Sequence, residues 1–164
     1  MIEWIDRMWL KCKVFIHKAL NHTIYKTGVK VYGIPRMVYR KKITIGRNCT
    51  INDRVFLYGR GGITLGEGVS LSYGVSLITS GYGNKNWAQN KIEKKHENAP
   101  IIINDYVWIG ANTTILKGVT IAKGCIVGAG SVVTHDLARP NTLYAGNPAK
   151  FIKVLENRPT EMEG

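Results

Sequence analysis

The sequence predicts an all-β solenoid, in which short strands wind into a parallel β-helix. Two observations support this prediction: an aliphatic residue recurs at every sixth position over one long stretch, and the residue four positions later is mostly small or β-branched. The unbroken series is Ile103, Ile109, Ile115, Ile121, Val127 and Val133. A period of six fits neither an α-helix nor the alternation of a flat sheet, whereas it is typical of stacked repeats.

Three six-residue units form one triangular coil, so residues eighteen positions apart should stack on each other. We therefore expect Ile103 to stack on Ile121, and Ile109 on Val127, one strand spacing of about 4.8 Å apart. The repeat starts near Val31 and gives about five coils.

Interruptions of the repeat mark the places where the chain leaves the coil. One insertion follows Ile43 and moves the aliphatic series to Ile45, and a second falls at residues 60–62. Residues 80–99 form a longer polar interruption, and a loop of this length inside a regular solenoid is usually functional. Trp87 in this loop could stack on a sugar or simply anchor the loop.

The sequence divides into an N-terminal segment at 1–28, a β-helical domain at 29–155 and a tail at 156–164 that we expect to be flexible. Apolar residues recur at three- and four-residue steps over residues 1–20, which predicts an amphipathic helix. This helix could pack on the end of the β-helix and cover its open edge, which is the more common outcome. It could instead lie on a bilayer surface.

Positive charge is concentrated at the N-terminal end. Lysine and arginine number 23 against 11 acidic residues, for a formal charge of +12, and residues 1–42 carry ten basic and two acidic side chains. This asymmetry indicates an anionic partner, such as a membrane surface, a nucleic acid or a phosphorylated substrate, or else a solvated basic face. No nucleic-acid reading motif accompanies the charge, so we expect no nucleic-acid partner.

The cysteines and the hydropathy indicate a cytoplasmic protein. Three cysteines without a CxxC motif argue against a disulfide framework or a zinc ribbon. No apolar run approaches membrane-spanning length. The sequence leaves one form of membrane association, which is peripheral contact of the N-terminal helix with the inner face of the membrane.

Four motifs carry a family resemblance: WIGA at 108–111, GVTI at 118–121, VGAGSVVT at 127–134 and GNPAK at 146–150. Together they resemble the hexapeptide-repeat acyltransferases, and most nearly the sugar O-acetyltransferases, such as the maltose and galactoside enzymes and those that modify capsule or O-antigen. The resemblance implies a left-handed β-helix, a homotrimer, acetyl-CoA bound between neighbouring subunits, and a long loop that reaches the adjacent subunit.

The resemblance also implies which residues contact the cofactor. These are Ala111, Ala129, the pair Thr134 and His135, where the family has a lysine in second place, and Lys150 and Lys153, which serve the phosphates. We interpret Trp108 as lining the acceptor or pantetheine channel, with subunit packing as an equally compatible role. Backbone N–H groups near Gly110 or Gly128 are candidates to bind the thioester carbonyl oxygen.

The residues at the acceptor-binding positions differ from those of the galactoside enzymes. An acceptor-binding asparagine is retained as Asn52, but Arg60 stands where an acidic residue is expected. Tyr82 occupies the place of the family's catalytic histidine. The resemblance therefore implies an acceptor other than a galactoside.

Acetyl transfer to a hydroxyl requires a base, because a protonated hydroxyl is a poor nucleophile. Histidine suits this role, since a pKa of about 6.5 leaves it mostly neutral at pH 7. We predict that His96, in the long loop, is the general base, and that Glu93 or Glu97 could orient it. The alternatives are an exposed loop histidine without a role, or a site that is inactive or differently catalysed, for example through Tyr82.

The sequence thus predicts an acetyl-CoA-dependent sugar O-acetyltransferase of capsule, O-antigen or other surface glycan synthesis. Acetyl transfer to a non-sugar acceptor, such as an antibiotic or an amino group, and a non-catalytic trimeric glycan-binding scaffold remain alternatives. A zinc-dependent carbonic anhydrase would need three histidines on adjacent coils, and the β-helical region offers only His96 and His135. We therefore expect no metal.

Overall fold

The computed structural model describes residues 2–83 and 95–156. Within them a helix, α1 (Ile2–Leu20), precedes a solenoid of short strands, as the periodicity predicts. The strands form three faces, named A, B and C, which the chain visits in that order in each of five coils. Each edge of this three-sided prism is named here by the two faces that it joins.

The strands of each face are hydrogen-bonded in the order given by the solenoid. Face A contains β1 (Lys30–Val31), β4 (Thr50–Ile51), β7 (Ser70–Leu71), β12 (Trp108–Ile109), β15 (Ile126–Val127), β17 (Thr142–Ala145) and β18 (Lys150–Val154). Face B contains β2 (Arg36–Val38), β5 (Phe56–Tyr58), β8 (Ser76–Ile78), β13 (Thr114–Leu116) and β16 (Val132–Val133). Face C contains β3 (Ile43–Ile45), β6 (Ile63–Leu65), β11 (Ile101–Ile103) and β14 (Thr120–Ile121). A separate hairpin pairs β9 (Ser80–Tyr82) with β10 (His96–Asn98).

Backbone pairing confirms that residues eighteen positions apart stack in the unbroken part of the repeat. Ile103 pairs with Ile121, and Ile109 with Val127, in parallel register. The inward aliphatic side chains on faces A, B and C from β4 to β16 are at most 1% exposed, and they form one continuous core. Burial of each such side chain stabilises the solenoid by roughly 1.5–3 kcal/mol relative to an exposed position.

The extra residues of the first three coils all fall at the B–C edge. The first coil uses eight residues to pass from Met37 to Ile45, where the fourth coil uses six for the same passage. The second coil has the same surplus, and the third coil holds the long polar loop there. The expected position of the first insertion, after Ile43, is wrong, because Ile43 and Ile45 both point inward. The extra residues form the 3-10 turn Arg40–Lys42.

The helix α1 does not cover the end of the β-helix with its apolar stripe. It is held by its C-terminal end, where Lys18 Nζ donates to the carbonyl oxygen of Val29 at 2.9 Å and His17 Nε2 lies 2.8 Å from the Tyr25 hydroxyl. Phe15 of the stripe is 74% exposed. The expectation that packing buries the stripe is therefore wrong. In the described part of the chain no helix combines the length and the apolar character that a membrane span requires.

The segment boundaries after residues 28 and 155 stay predictions. Val29 is buried at the start of the solenoid, which agrees with the first of them. Residues 157–164 of the predicted tail lie outside the described residues.

Candidate functional site

The A–B edge is a column of residues that stack from coil to coil. The amide of Asn52 donates to the carbonyl of Leu71 at 3.0 Å, and that of Ser72 donates to Ile109, also at 3.0 Å. The amide of Gly110 continues the series to Val127 at 2.8 Å. Asn52, Ser72 and Gly110 therefore lie one above the other in consecutive coils. The side-chain amide of Asn52 also donates to the Leu71 carbonyl, at 3.1 Å, so it helps to hold this edge together.

Gly110 permits a close approach of two coils along this edge. A Cβ at this position would lie 2.5 Å from the backbone nitrogen of Ala129, closer than real Cβ contacts allow. Ala111 follows directly, and its carbonyl accepts from the amide of Gly130 at 2.8 Å. Ala111 and Ala129 therefore occupy equivalent places in neighbouring coils, with Ala129 exposed. Two predicted cofactor contacts are thus adjacent on one narrow shelf.

The amides of Gly110 and Gly128 are not available to bind a thioester carbonyl. Each donates instead to the next coil, to the carbonyls of Val127 and Tyr144, at 2.8 Å in both cases. Coil stacking uses both of these donors. The prediction that N–H groups near these two glycines bind the thioester carbonyl oxygen stays a prediction.

Trp108 forms a wall beside the A–B edge. Its indole is 52% exposed, and Nε1 donates to the hydroxyl of Ser72 at 2.9 Å, which fixes the ring across two coils. In register on face A, the outward row runs from Trp108 through Ile126 and Leu143 to Lys153. Three strand spacings separate its ends, or about 14 Å. An extended apolar chain that carries a phosphate at one end fits such a row.

Lys150 closes the A–B edge at the last coil. It pairs with Ala145 in the antiparallel β17–β18 hairpin, and both Lys150 and Lys153 are exposed. Ala145 directly follows the residue whose carbonyl accepts from Gly128. Because both side chains are exposed, their ammonium groups can bind the phosphates of a ligand that lies beside the shelf of Ala111 and Ala129.

The B–C edge carries the remaining predicted residues. In the hairpin His96 pairs with Tyr82, and their rings stack with centroids 4.6 Å apart and planes at 28°. Both side chains are exposed. They border an open cavity of about 340 Å³, whose other walls include Phe56, Tyr58 and Ile78. A neutral imidazole beside an apolar, partly aromatic cavity can accept a proton from a hydroxyl held there.

Glu97 holds the hairpin against the fourth coil. Its carboxylate accepts from Lys117 Nζ at 2.8 Å, and neighbouring residues of a strand point to opposite faces. The contact with Lys117 thus gives Glu97 a structural partner other than His96. Glu93 and Trp87 lie outside the described residues.

Three further predicted residues lie on the B–C edge. Thr134 and His135 follow β16 and are exposed, with Thr134 Oγ1 3.1 Å from His135 Nδ1. Arg60 is half-buried at the corner of the second coil, and its carbonyl accepts from Lys42 Nζ at 3.0 Å. The structure therefore does not bring Thr134 and His135 beside the A–B shelf of the same chain.

The predicted site residues thus fall into two groups, separated in one chain by the width of face B. The A–B edge holds Asn52, Gly110, Ala111, Ala129 and Lys150, with Trp108 and Lys153 on the adjoining face A. The B–C edge holds Arg60, Tyr82, His96, Thr134 and His135.

Sequence reasoning missed Phe56, Tyr58 and Ser72. Each of the three is an aromatic or polar residue at an outward position of a repeat whose inward strand positions are aliphatic. That pattern was the signal that could have identified them.

Cysteine and metal chemistry find no support in the site. Burial raises the pKa of the Cys49 and Cys125 thiols, which keeps them protonated and unreactive. Across residues 2–83 and 95–156, no three histidine, cysteine or acidic side chains cluster as metal ligands would.

Comparison with known proteins gives consistent matches. Residues 100–135 match the family described as bacterial transferase hexapeptide (six repeats). The galactoside O-acetyltransferase of Escherichia coli (strain K12) is 34% identical over 122 residues, which cover 73% of this chain and 58% of that protein. The chain spans 53% to 58% of the length of the first curated relatives that it matches.

Solved structures extend the match over most of the chain. A hexapeptide-repeat-containing acetyltransferase from Vibrio cholerae gives a TM-score of 0.73 at 30% identity, over 85% of this chain and 79% of that chain. Complexed with acetyl coenzyme A, the same protein gives 0.72 at 29%, over 85% and 76%. A maltose O-acetyltransferase from Clostridium difficile 630 gives 0.76 at 27% identity, over 92% and 87%. The solenoid is therefore the left-handed β-helix that the motifs imply, and the chain belongs to the hexapeptide-repeat acyltransferases.

Proposed function

We propose that this protein transfers the acetyl group of acetyl-CoA to a hydroxyl group of a sugar. The observation that carries the proposal is the A–B edge, where an exposed indole, a shelf of small residues and two exposed lysines follow one another. An extended thiol cofactor with phosphates at its far end requires contacts of these three kinds in this order. The similar Vibrio cholerae protein has been solved with acetyl coenzyme A, and the similar Escherichia coli protein is a galactoside O-acetyltransferase.

In the proposed mechanism His96 acts as the general base. It takes the proton of the sugar hydroxyl as the oxygen attacks the thioester carbonyl, and a tetrahedral intermediate forms. The intermediate collapses to the acetyl ester and expels the CoA thiolate, which recovers the proton from the imidazolium. The stacked ring of Tyr82 limits the rotation of the imidazole, so the nitrogen that accepts the proton stays directed at the cavity.

The two edges indicate that a complete site needs two copies of the chain. The donor residues lie on the A–B edge and His96 lies on the B–C edge, and face B separates them within one chain. We propose a homotrimer in which the B–C edge of one subunit meets the A–B edge of its neighbour. Thr134 and His135 then contact a cofactor held mainly by the neighbouring subunit.

The proposed acceptor is a sugar of a capsule, an O-antigen or another surface glycan. Tyr82, Phe56 and Tyr58 give the cavity aromatic walls, against which the apolar faces of a sugar ring can pack. Asn52 and Arg60 are proposed to bind its polar groups, with Trp87 as a further aromatic contact. We propose that the protein works in the cytoplasm at the inner face of the membrane, where a lipid-linked acceptor would be presented.

The test is a screen of nucleotide sugars and glycan oligomers for a mass gain that depends on acetyl-CoA. We expect one acetyl group per acceptor, and a loss of at least about 100-fold in kcat for His96→Ala, as removal of a general base predicts. His22→Ala is the matched control, because His22 is an exposed histidine that is not among the predicted site residues. Unchanged transfer by His96→Ala would remove His96 from the mechanism. Absence of CoA binding by the native protein would favour a non-catalytic scaffold.

A further inference from the structure

The helix α1 presents an apolar face to solvent. Among the helix side chains that the structure describes, helical spacing places six of the seven large exposed apolar ones on one arc of about 160°, and Leu10 lies outside it. This α1 apolar face comprises Trp4, Met8, Trp9, Phe15, Ile16 and Leu20. Each of these side chains is between 46% and 76% exposed. So large an apolar surface on one short helix marks an interaction site.

Basic side chains border this face on both sides. Lys11 and Lys18 follow one edge of the arc by helical position, and Lys13 follows the other. Lys13 Nζ also lies 5.2 Å from the centroid of the Trp9 ring. Residues 1–42 as a whole hold ten basic and two acidic side chains, a net charge of +8. An apolar centre with basic borders and tryptophan is typical of helices that lie in a membrane interface.

A groove beside the helix has the same chemical character. It encloses about 530 Å³ between α1 and the first coil. Its walls include Arg7, Leu10, Lys11, Val14, Lys18 and Tyr32. Basic and apolar side chains in one groove suit a lipid phosphate and the first carbons of its chains.

We propose that α1 docks on a bilayer that contains anionic phospholipid. The α1 apolar face inserts at the level of the headgroups, and the bordering lysines and arginine bind lipid phosphates. This proposal identifies the contact that holds the enzyme at the membrane in the proposed function, but docking itself requires neither acetyl-CoA nor an acceptor. A second copy of the chain is a poorer occupant, because a symmetric pair would bring two segments of charge +8 together.

The cysteines allow a direct test on the full chain. Cys12 lies within the apolar arc and is exposed, whereas Cys49 and Cys125 are buried, so an environment-sensitive dye attaches at Cys12 alone. With vesicles that contain about 30 mol % phosphatidylglycerol, we expect the emission to rise and shift to the blue. With phosphatidylcholine alone we expect little change, and added salt should weaken the response. The control is the Cys12→Ser, Lys123→Cys protein, labelled on a distant coil, which should not respond.

A second variant separates docking from acetyl transfer. Trp9→Glu with Phe15→Glu changes two exposed side chains, so the fold should persist while co-sedimentation with anionic vesicles falls by at least about 10-fold. Acetyl transfer to a soluble acceptor should stay unchanged, so a failure of docking and a failure of the proposed function are distinguishable. Three outcomes would overturn the proposal: no dye response to anionic vesicles, retained binding by the double variant, or a response to protein concentration without lipid.

Discussion

Tyr82 and His96 stack ring on ring across the first register pair of the β9–β10 hairpin, with centroids 4.6 Å apart. Thirteen residues separate them in the sequence. The hairpin thus holds the proposed base and the aromatic ring against which it stacks as one unit.

Removal of the Tyr82 ring should lower catalysis. In Tyr82→Ala the imidazole of His96 loses its stacking partner, and we expect kcat to fall by about 2- to 10-fold, the value of one aromatic contact. Tyr82→Phe keeps the ring and is the matched control. If Tyr82→Phe lost as much activity as Tyr82→Ala, the hydroxyl rather than the stacked ring would be the active feature.

Loss of the Glu97–Lys117 ion pair should affect activity more than stability. The pair is partly exposed, so Lys117→Ala should lower the free energy of unfolding by less than about 1 kcal/mol. The hairpin would nevertheless be less firmly held against the fourth coil, and we expect a measurable decrease in kcat. Thermal denaturation and steady-state kinetics on the same preparation check the two effects. Lys123→Ala, which removes an exposed lysine elsewhere, should change neither.

Lys150→Ala and Lys153→Ala should raise the KM for acetyl-CoA with little effect on kcat. Each removes a cation proposed to bind a cofactor phosphate, and such contacts are similar in the ground state and the transition state. Acetyl-pantetheine, which lacks these phosphates, should be used equally well by the native protein and both variants. A variant that loses activity with both donors to the same extent would show a role in folding or chemistry instead.

Gly110→Ala should destabilise the solenoid. The added Cβ would lie 2.5 Å from the Ala129 backbone nitrogen, so the coils must separate at this edge, at a cost of about 1–3 kcal/mol. Gly118→Ala is the comparison, since its Cβ would meet only Ala99 at 3.5 Å and its φ of +83° costs about 1 kcal/mol. Chemical denaturation should therefore rank Gly110→Ala as the less stable variant. The opposite order would mean that the two coils can relax apart cheaply.

Acidification should loosen the attachment of α1. Burial, and next the charge of Arg40, lower the pKa of His17, so the folded protein binds its proton less readily than the unfolded chain. The stability that neutral His17 contributes is therefore present above the unfolded pKa of about 6.5 and is lost as the pH falls through it. As the pH is lowered from 7, we expect the melting temperature to fall less steeply in His17→Gln than in the native protein. Identical pH profiles would contradict it.

The architecture followed from the sequence because the repeat is local and strict. The six-residue period alone gave the stacking of Ile109 on Val127, since each inward position depends only on its own coil and its neighbours. The first insertion was placed wrongly because Ile43 and Ile45 are both aliphatic, so the pattern of apolar residues is equally consistent with a break on either side of Ile43.

The site was harder to predict because it depends on which edge each residue reaches. The motifs identified Ala111 and Ala129 individually, and the repeat placed them on the same shelf. Nothing in the local sequence pairs Tyr82 with His96, and the role of Phe56 depends on its outward position beside that hairpin. The orientation of α1 was also beyond sequence reasoning, because polar contacts at Lys18 and His17 hold the helix and its longest apolar stripe remains unburied.

The surplus residues of the first three coils all lie at the B–C edge, and this has a consequence for how such proteins diversify. There the corner tolerates two additional residues or an entire hairpin without shifting the strands above and below it. The A–B corner, at the other border of face B, is closed by direct backbone stacking at Gly110. The fold can therefore accept whole loops at the B–C edge, on the proposed acceptor side, while the A–B edge, proposed to bind the donor, keeps its backbone stacking.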